Sequence, residues 1–335
     1  MTPQIILGEI IFDQLSGEWD ALASRGMTDT PFQRLAYQRA WWTHLQPPNS
    51  TLSTVAVRDG GGELMAIGCF YNVGGALYFN GCVEETDYLD LVSPPESAAE
   101  AWLHVIQCLS SVESRVWDQF ILCNIPESSP TRTILAELSG RLGVSLHEEL
   151  IEVCPIIKLP ASFDAYLESL DSKQRREVSR KLRRAEAAGM QTRVINQEDD
   201  LDKAIGIFLD LLQKSTFEKR EWLHEGRRAV FQEVARSAHD AGMLQLMITE
   251  LEERPAAALF NFDYKDRIWV YNSGLDPALF ASLSPGVVLT ATAIEQAILQ
   301  GRKEFDFLRG SEEYKYRFGA EDTHIYRITL GRPGL

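Results

Sequence analysis

The same succession of helix and strand patterns runs through this chain twice, about 190 residues apart, and that repetition constrains the fold more than any other feature. In the first half, an amphipathic helix over residues 31–46 sets Phe32, Leu35, Ala36 and Ala40 near one face. Three β-branched or aromatic runs follow at 51–58, 64–73 and 76–82, separated by Asp59-Gly60-Gly61-Gly62 and Gly74-Gly75 as hairpin turns. A helix then puts Ala98, Trp102, Val105 and Leu109 on one face at spacings of four, three and four. A strand beginning Trp117-Asp118 comes next, then a helix over 131–142 and a strand over 151–159.

The second half repeats this order. Helices around 201–213 and 227–241 lead into strands at 244–251, 256–264 and 268–273. Ser284-Pro285-Gly286 opens a helix with Val287, Ala291, Ile294 and Ile298 at the same four, three, four spacing, and Gly301 stands where a C-terminal cap belongs. Asp306 lies twelve residues past Ile294 and Asp118 thirteen past Val105, so the two registers agree within one residue. A duplicated α+β architecture is expected, with a linker within residues 160–172, a first domain over 1–160 and a second over 161–335.

At 335 residues the chain can bury two cores, and its 45% hydrophobic and 24% charged content is that of a folded protein. The net charge of −15 opposes wrapping nucleic acid along the whole surface. Five cysteines without a C-x-x-C pair suggest neither a disulfide framework nor a zinc site, and they read as small buried hydrophobes. Six scattered histidines form no H-x-x-x-H pair, so no metal is expected. The chain lacks G-x-S-x-G, Walker and G-x-G-x-x-G motifs, which argues against a hydrolase, a P-loop NTPase or a Rossmann dehydrogenase. The amino-terminal residues do not form a signal peptide and no apolar run is long enough to span a bilayer, so a cytoplasmic location is expected.

Residues 271–277 (Y-N-S-G-L-D-P), 284–289 (S-P-G-V-V-L) and 301–319 (G-R-K-E-F-D-F-L-R-G-S-E-E-Y-K-Y-R-F-G) resemble the GNAT acetyltransferase family of the cellulose-biosynthesis CelD type, distant relatives of the Fem aminoacyltransferases. The resemblance extends back through S-K-Q-R-R-E-V-S-R-K-L-R-R-A-E-A-A-G (172–189), C-P-I-I-K-L-P (154–160) and T-D-Y-L-D-L (86–91), and so covers most of the chain. It implies two tandem GNAT-like domains, each a mixed, largely antiparallel sheet flanked by helices, and transfer of an acyl group from acyl-CoA to an amine. The Q/R-x-x-G-x-G/A phosphate loop of typical GNAT enzymes is absent, and Ser284-Pro285-Gly286 stands in its place.

In such a fold the strand before the long helix splays from the strand after it, and the helix start meets the donor pyrophosphate. A first helical turn has unpaired N–H groups and the positive end of the helix dipole, so it binds phosphate without a basic side chain. Ser284, Gly286, Val287 and Val288 are the donor-binding candidates, with Tyr271 on the preceding strand, although ordinary helix capping explains Ser-Pro equally well. The first half offers only Ser93-Pro94-Pro95 at the matching place, so a poorer donor site is expected there.

Three residues are candidates for the chemistry. Tyr314 matches the tyrosine that protonates a departing thiolate in GNAT enzymes, and Lys315 the lysine of the Fem-like Y/F-K motif, where a fixed cation stabilises an oxyanion or a donor phosphate. Asp306, pointing opposite to Phe305 and Phe307, would orient the amine or accept its proton if its face lines the cleft. Each fits a structural role as well: a core tyrosine, a surface cation, a loop-capping carboxylate.

For the acceptor, the candidates are Asp87 and Tyr88, with Asp90 beside them, and the basic helix face of Lys173, Arg176 and Arg180. Residues 171–184 hold seven basic and two acidic side chains, a balance of +5 that suits a phosphorylated or nucleotide-linked partner and equally a solvated helix. The first function expected is an N-acyltransferase acting on an amine of a sugar or saccharide precursor in polysaccharide biosynthesis. The alternatives are a Fem-like transferase using aminoacyl-tRNA and a GNAT-like binding module without catalysis.

Overall fold

A computed structural model describes residues 1–82, 85–110 and 117–331. The chain divides into two compact units, one of Met1–Glu152 joined by the chain from Thr323 onwards, the other of Val153–Asp322.

The first unit contains β1 (Thr2–Leu7), α1 (Ile10–Gln14), α2 (Trp19–Ala23), α3 (Leu35–Leu45), β2 (Thr51–Arg58), β3 (Leu64–Val73), β4 (Ala76–Phe79), α4 (Ala98–Ser110), β5 (Gln119–Pro126), α5 (Thr131–Leu142) and residues 145–152 of β6 (Ser145–Lys158). In the second lie α6 (Phe163–Ser169), α7 (Ser172–Ala187), β7 (Gln191–Val194), α8 (Leu201–Ser215), α9 (Phe217–Trp222), α10 (Glu225–Asp240), β8 (Leu244–Leu251), β9 (Arg254–Tyr264), β10 (Arg267–Leu275), α11 (Pro285–Leu299), β11 (Glu304–Asp306) and α12 (Glu313–Arg317). The last strand, β12 (Glu321–Gly331), returns to the first unit from Thr323.

Both units build their sheet by one rule. In the first, β1, β2, β3 and β4 pair antiparallel in succession, β4 pairs parallel with β5, and β5 pairs antiparallel with β12. In the second, β7, β8, β9 and β10 pair antiparallel, β10 pairs parallel with β11, and β11 pairs antiparallel with residues 156–158 of β6. A parallel neighbour requires a crossover, and α4 and α11 supply it at matching places. The duplication expected from the sequence is thus present in the topology, as a tandem GNAT-like fold of mixed, mostly antiparallel sheets flanked by helices.

The apolar periodicity explains which faces are buried. Ala291, Ile294 and Ile298 of α11 pack with Ile268 of β10 and with Phe305 and Phe307 on and just past β11, and each isoleucine or phenylalanine side chain, when fully buried, contributes about 1.5–3 kcal/mol. Ala98, Trp102, Val105 and Leu109 of α4 are buried in the same way in the first unit. Gly274 on β10 is required by a close approach, since a Cβ there would come 2.5 Å from the Leu212 backbone nitrogen of α8.

One expectation is corrected in the first unit. Cys82, just past β4, and Cys123, on β5, are joined as a disulfide, which parallel pairing of the two strands brings within reach across 41 positions of sequence. Among the described residues, no helix is long and apolar enough to cross a membrane, and no group of three or more His, Cys, Asp or Glu side chains is arranged to hold a metal ion.

Candidate active site

The site of the second unit begins with a break in strand pairing. β10 runs beside β11 only from Arg267 to Trp269, opposite Glu304 to Asp306. Beyond that its register with β9 shifts between Val270 and Asn272, a bulge that leaves Tyr271 as the extra residue, and pairing with β9 continues to Leu275. The chain after β11 turns instead toward β6, with the Phe307 and Gly310 N–H groups donating to the Pro155 and Val153 carbonyls, each at 3.0 Å. The two strands therefore part, and a cavity of about 430 Å³ opens between β10, the start of α11 and Phe307, Tyr314 and Phe318. Its size lies in the ~300–1,000 Å³ range usual for ligand pockets, and its walls are largely apolar, with Ala257, Leu259, Val270 and Leu289 among them.

At the helix start, Ser284 adopts the left-handed conformation (φ 56°, ψ 56°), and its side chain makes no capping bond. Ser284 holds the N-cap position without acting as an ordinary cap. Its carbonyl takes the Val287 and Val288 N–H groups at 3.0 and 3.1 Å, Pro285 has no N–H, and the Gly286 N–H and Ser284 hydroxyl have no hydrogen-bond partner among the described residues. Ser284, Gly286 and Val287 all line the cavity. A Cβ on Gly286 would meet nothing nearer than Leu275 at 3.9 Å, so the space beside this backbone is open. An unpaired helix start on an open cavity is a ready anion site.

Tyr314, on α12, also lines the cavity, with its ring edge-on to Phe307 at 5.9 Å between centroids. Among the described residues its hydroxyl has no hydrogen-bond partner. The residue is 40% exposed, but the protein packed around its phenol end desolvates that group and, with a smaller contribution from the Glu312 charge, raises it above its ordinary pKa, so it stays a proton donor across the neutral range.

The remaining sequence candidates fall elsewhere. Val288 packs with Ala185 and Met190, away from the cavity. Tyr271 packs among Phe231, Phe260 and Phe262 in tilted and edge-on contacts, its ring turned into that aromatic cluster. Lys315 is 2% exposed, and its Nζ donates to the Leu308, Arg309 and Gly310 carbonyls at 3.2, 2.7 and 2.9 Å and pairs with Glu312 at 2.8 Å. An ammonium has three N–H donors, so this lysine is already saturated, and it ties down the turn before α12 instead of reaching into the cavity. Asp306 is fully buried; Oδ2 pairs with Arg267 at 3.0 Å and Oδ1 accepts the Leu308 N–H at 2.8 Å. Its side chain does lie opposite Phe307, but the cavity is on the phenylalanine side.

Asp87 and Tyr88 are buried in the first unit and line neither cavity of the second. Asp90, close by, accepts from Thr28 at 2.7 Å, Thr131 at 2.6 Å, Ser129, and the Leu91 N–H at 2.8 Å. It is an internal knot of that unit.

Lys173, Arg176 and Arg180 of α7 line a second cavity of about 490 Å³, together with Lys181, Arg317, Glu177 and Glu313. Val287, Tyr314 and Phe318 line both cavities, so the two adjoin at Tyr314.

Lys219 was not legible as a site residue. Its Nζ donates to the Ser273 carbonyl at 2.7 Å and to Asn272 Oδ1 at 3.2 Å, while Ser215 Oγ accepts the Leu275 N–H at 2.8 Å. Because the other edge of β10 is paired to β9, these contacts lie on the edge that β11 has left. Burial pulls the Lys219 amine down to about 8, with Glu312 opposing and Lys315 assisting. In sequence it belongs to F-E-K-R-E-W, which reads as a polar surface turn.

A bulged strand that parts from its parallel neighbour at an uncapped helix start is the arrangement expected of a GNAT-like fold. Residues 172–316 match the family described as acetyltransferase (GNAT) domain, a span that contains every lining residue of the first cavity except Phe318. No curated protein sequence matches the chain. Among solved structures, FemX superposes with a TM-score of 0.66 at 11% identity, over 96% of each chain. The C-terminal domain of a putative lysylphosphatidylglycerol synthetase from Agrobacterium fabrum gives 0.61 at 11% identity, over 93% of this chain and 92% of that one. A conserved protein of unknown function from Bacteroides thetaiotaomicron gives 0.63 at 10% identity, over 98% and 100%. At these identities the likeness establishes a shared fold.

Proposed function

We propose that the chain is an N-acyltransferase whose second unit binds an acyl-coenzyme A and delivers the acyl group to a primary amine, of the kind found on saccharide precursors. The Gly286 N–H and Ser284 hydroxyl would hold the donor diphosphate, and the apolar walls of the first cavity its pantetheine arm and acyl group. The amine nitrogen forms the new C–N bond as the C–S bond breaks; Tyr314 gives its proton to the departing sulfur, and the amine's surplus proton restores the phenol through solvent. The observation that carries this reading is the juxtaposition, on one cavity, of an unpaired helix start and an unpartnered, protonated tyrosine.

The test is a thermal-shift series with coenzyme A, acetyl-coenzyme A and longer acyl thioesters. A thioester at about 100 times its dissociation constant stabilises the folded state by about 2.7 kcal/mol. Absence of a shift with all of them favours an aminoacyl-tRNA donor, for which the basic face of α7 speaks.

A further inference from the structure

The second cavity differs from the first in its charge. Five cationic side chains, Lys173, Arg176, Arg180, Lys181 and Arg317, face two carboxylates, Glu177 and Glu313, in a chain whose net charge is −15. The carboxylates are already committed: Glu177 pairs with Arg180 at 2.8 Å and Lys181 at 3.2 Å, and Glu313 with Arg317 at 2.8 Å. Lys173 and Arg176 form no salt bridge among the described residues, although the Lys173 charge acts on Glu313 at longer range. Three residues apart on α7, they project on one side of the helix into a recess whose far wall is Val287 and Tyr314. A guanidinium and an ammonium that no close ion pair holds suit a phosphate, which takes a bidentate fork from the first and a point charge from the second.

We infer that the acceptor is a primary amine bearing a phosphate, which Lys173 and Arg176 hold in the second cavity while its amine reaches past Tyr314 to the thioester. This rests on the donor occupying the first cavity. The wall shared by the two cavities is the place where acceptor and donor would meet, and Tyr314 is the side chain on it with a proton to give. The phosphate chemistry is common to soluble phosphomonoesters and lipid headgroups, and the experiment separates these sources.

Binding is read by calorimetry without any thioester, so the result does not depend on catalysis. The probes are phosphoethanolamine and glucosamine 6-phosphate, their phosphate-free counterparts ethanolamine and glucosamine, and phosphatidylcholine vesicles with and without phosphatidylethanolamine. At least one phosphate-bearing amine binds the wild-type protein, its phosphate-free counterpart binds at least tenfold more weakly, and Lys173→Gln/Arg176→Gln loses at least tenfold. Arg175→Gln/Arg183→Gln, which removes equal charge from elsewhere on α7, stays within about twofold of wild type. Binding of vesicles alone assigns the phosphate to a lipid; binding of the soluble probes assigns it to a free metabolite. The inference is overturned if none of the phosphate-bearing amines binds, or if both double variants behave alike. It is also overturned if Lys173→Gln/Arg176→Gln weakens coenzyme A tenfold while leaving dephospho-coenzyme A unchanged, since the cavity then serves the donor's 3′-phosphate. Loss of coenzyme A binding in the wild-type protein would instead count against the donor site and leaves these amine titrations readable.

Discussion

Asp306 Oδ2 lies 3.0 Å from the Arg267 guanidinium, and the acid has no exposed surface. Arg267 also pairs with Glu304 and stacks over the Trp269 ring at 4.5 Å, so the pair clamps β11 to β10 immediately before the strands part. Arg267→Met leaves a buried carboxylate without its cation and is expected to cost about 3–5 kcal/mol of stability by denaturant titration. Asp306→Asn, which keeps an acceptor for the Leu308 N–H, is expected to retain transferase activity within a few-fold. A hundredfold loss of activity at unchanged stability would return Asp306 to the reaction.

The buried Lys219 amine makes a pH prediction whose sign can be worked out. Its folded pKa of about 8 lies below the ordinary 10.5, so between these values the unfolded chain binds a proton that the folded chain does not. Stability contributed by this group therefore increases as pH rises through that window, and its charge is a cost below it. Melting curves of wild type and Lys219→Met should diverge in slope between pH 8 and 10, with the rise confined to wild type. Parallel slopes would show that the amine is solvated.

Much of the fold was legible because it is written in local periodicity. The four, three, four apolar spacing of α4 and α11 requires a buried helix face, and the β-branched runs between glycine-rich or polar turns require strands. The exchange of partners at the sheet ends was not legible. That β12 pairs with β5 and the end of β6 with β11 is decided by long-range register, and strands with period-two burial carry no local mark of which neighbour they meet. The short Phe217–Trp222 helix escaped notice for a related reason: one and a half turns hold too little periodicity to detect.

The site was legible to the same depth. The Ser-Pro-Gly helix start and Tyr314 sit on the cavity because strand-to-helix order alone positions them. Lys315 adjoins Tyr314 and Asp306 ends the strand before it, yet the fold turns both inward, and only coordinates show which side of α12 or β11 faces the opening. Residue type suggested chemistry at all three positions, and direction decides which of them faces the cavity.

Removal of the internal acceptor of the first unit should act on stability alone. Asp90→Ala strands the hydroxyls of Thr28, Ser129 and Thr131 and the Leu91 N–H, and is expected to cost about 2–4 kcal/mol. The acceptor KM should not move. A changed KM with an unchanged unfolding midpoint would place Asp90 in acceptor recognition.

Tyr314→Phe removes the proton donor and keeps the ring against Phe307. The expected outcome is a fall in kcat of about 100-fold or more with donor affinity nearly intact, measured by steady-state kinetics beside a coenzyme A titration. Equal losses in affinity and turnover would make the hydroxyl a binding contact.

The central claim is that the donor diphosphate rests on the bare backbone of α11, and titration of coenzyme A into wild type and Gly286→Ala tests it most directly. The added methyl has room within the protein, 3.9 Å from Leu275, and alanine favours a helix over glycine, so the variant should be as stable as wild type or up to about 1 kcal/mol more so. The account predicts a loss of donor affinity of about tenfold or more in that sound fold, because the methyl takes the space a phosphate needs beside the Gly286 N–H. Equal affinity in both proteins would contradict it.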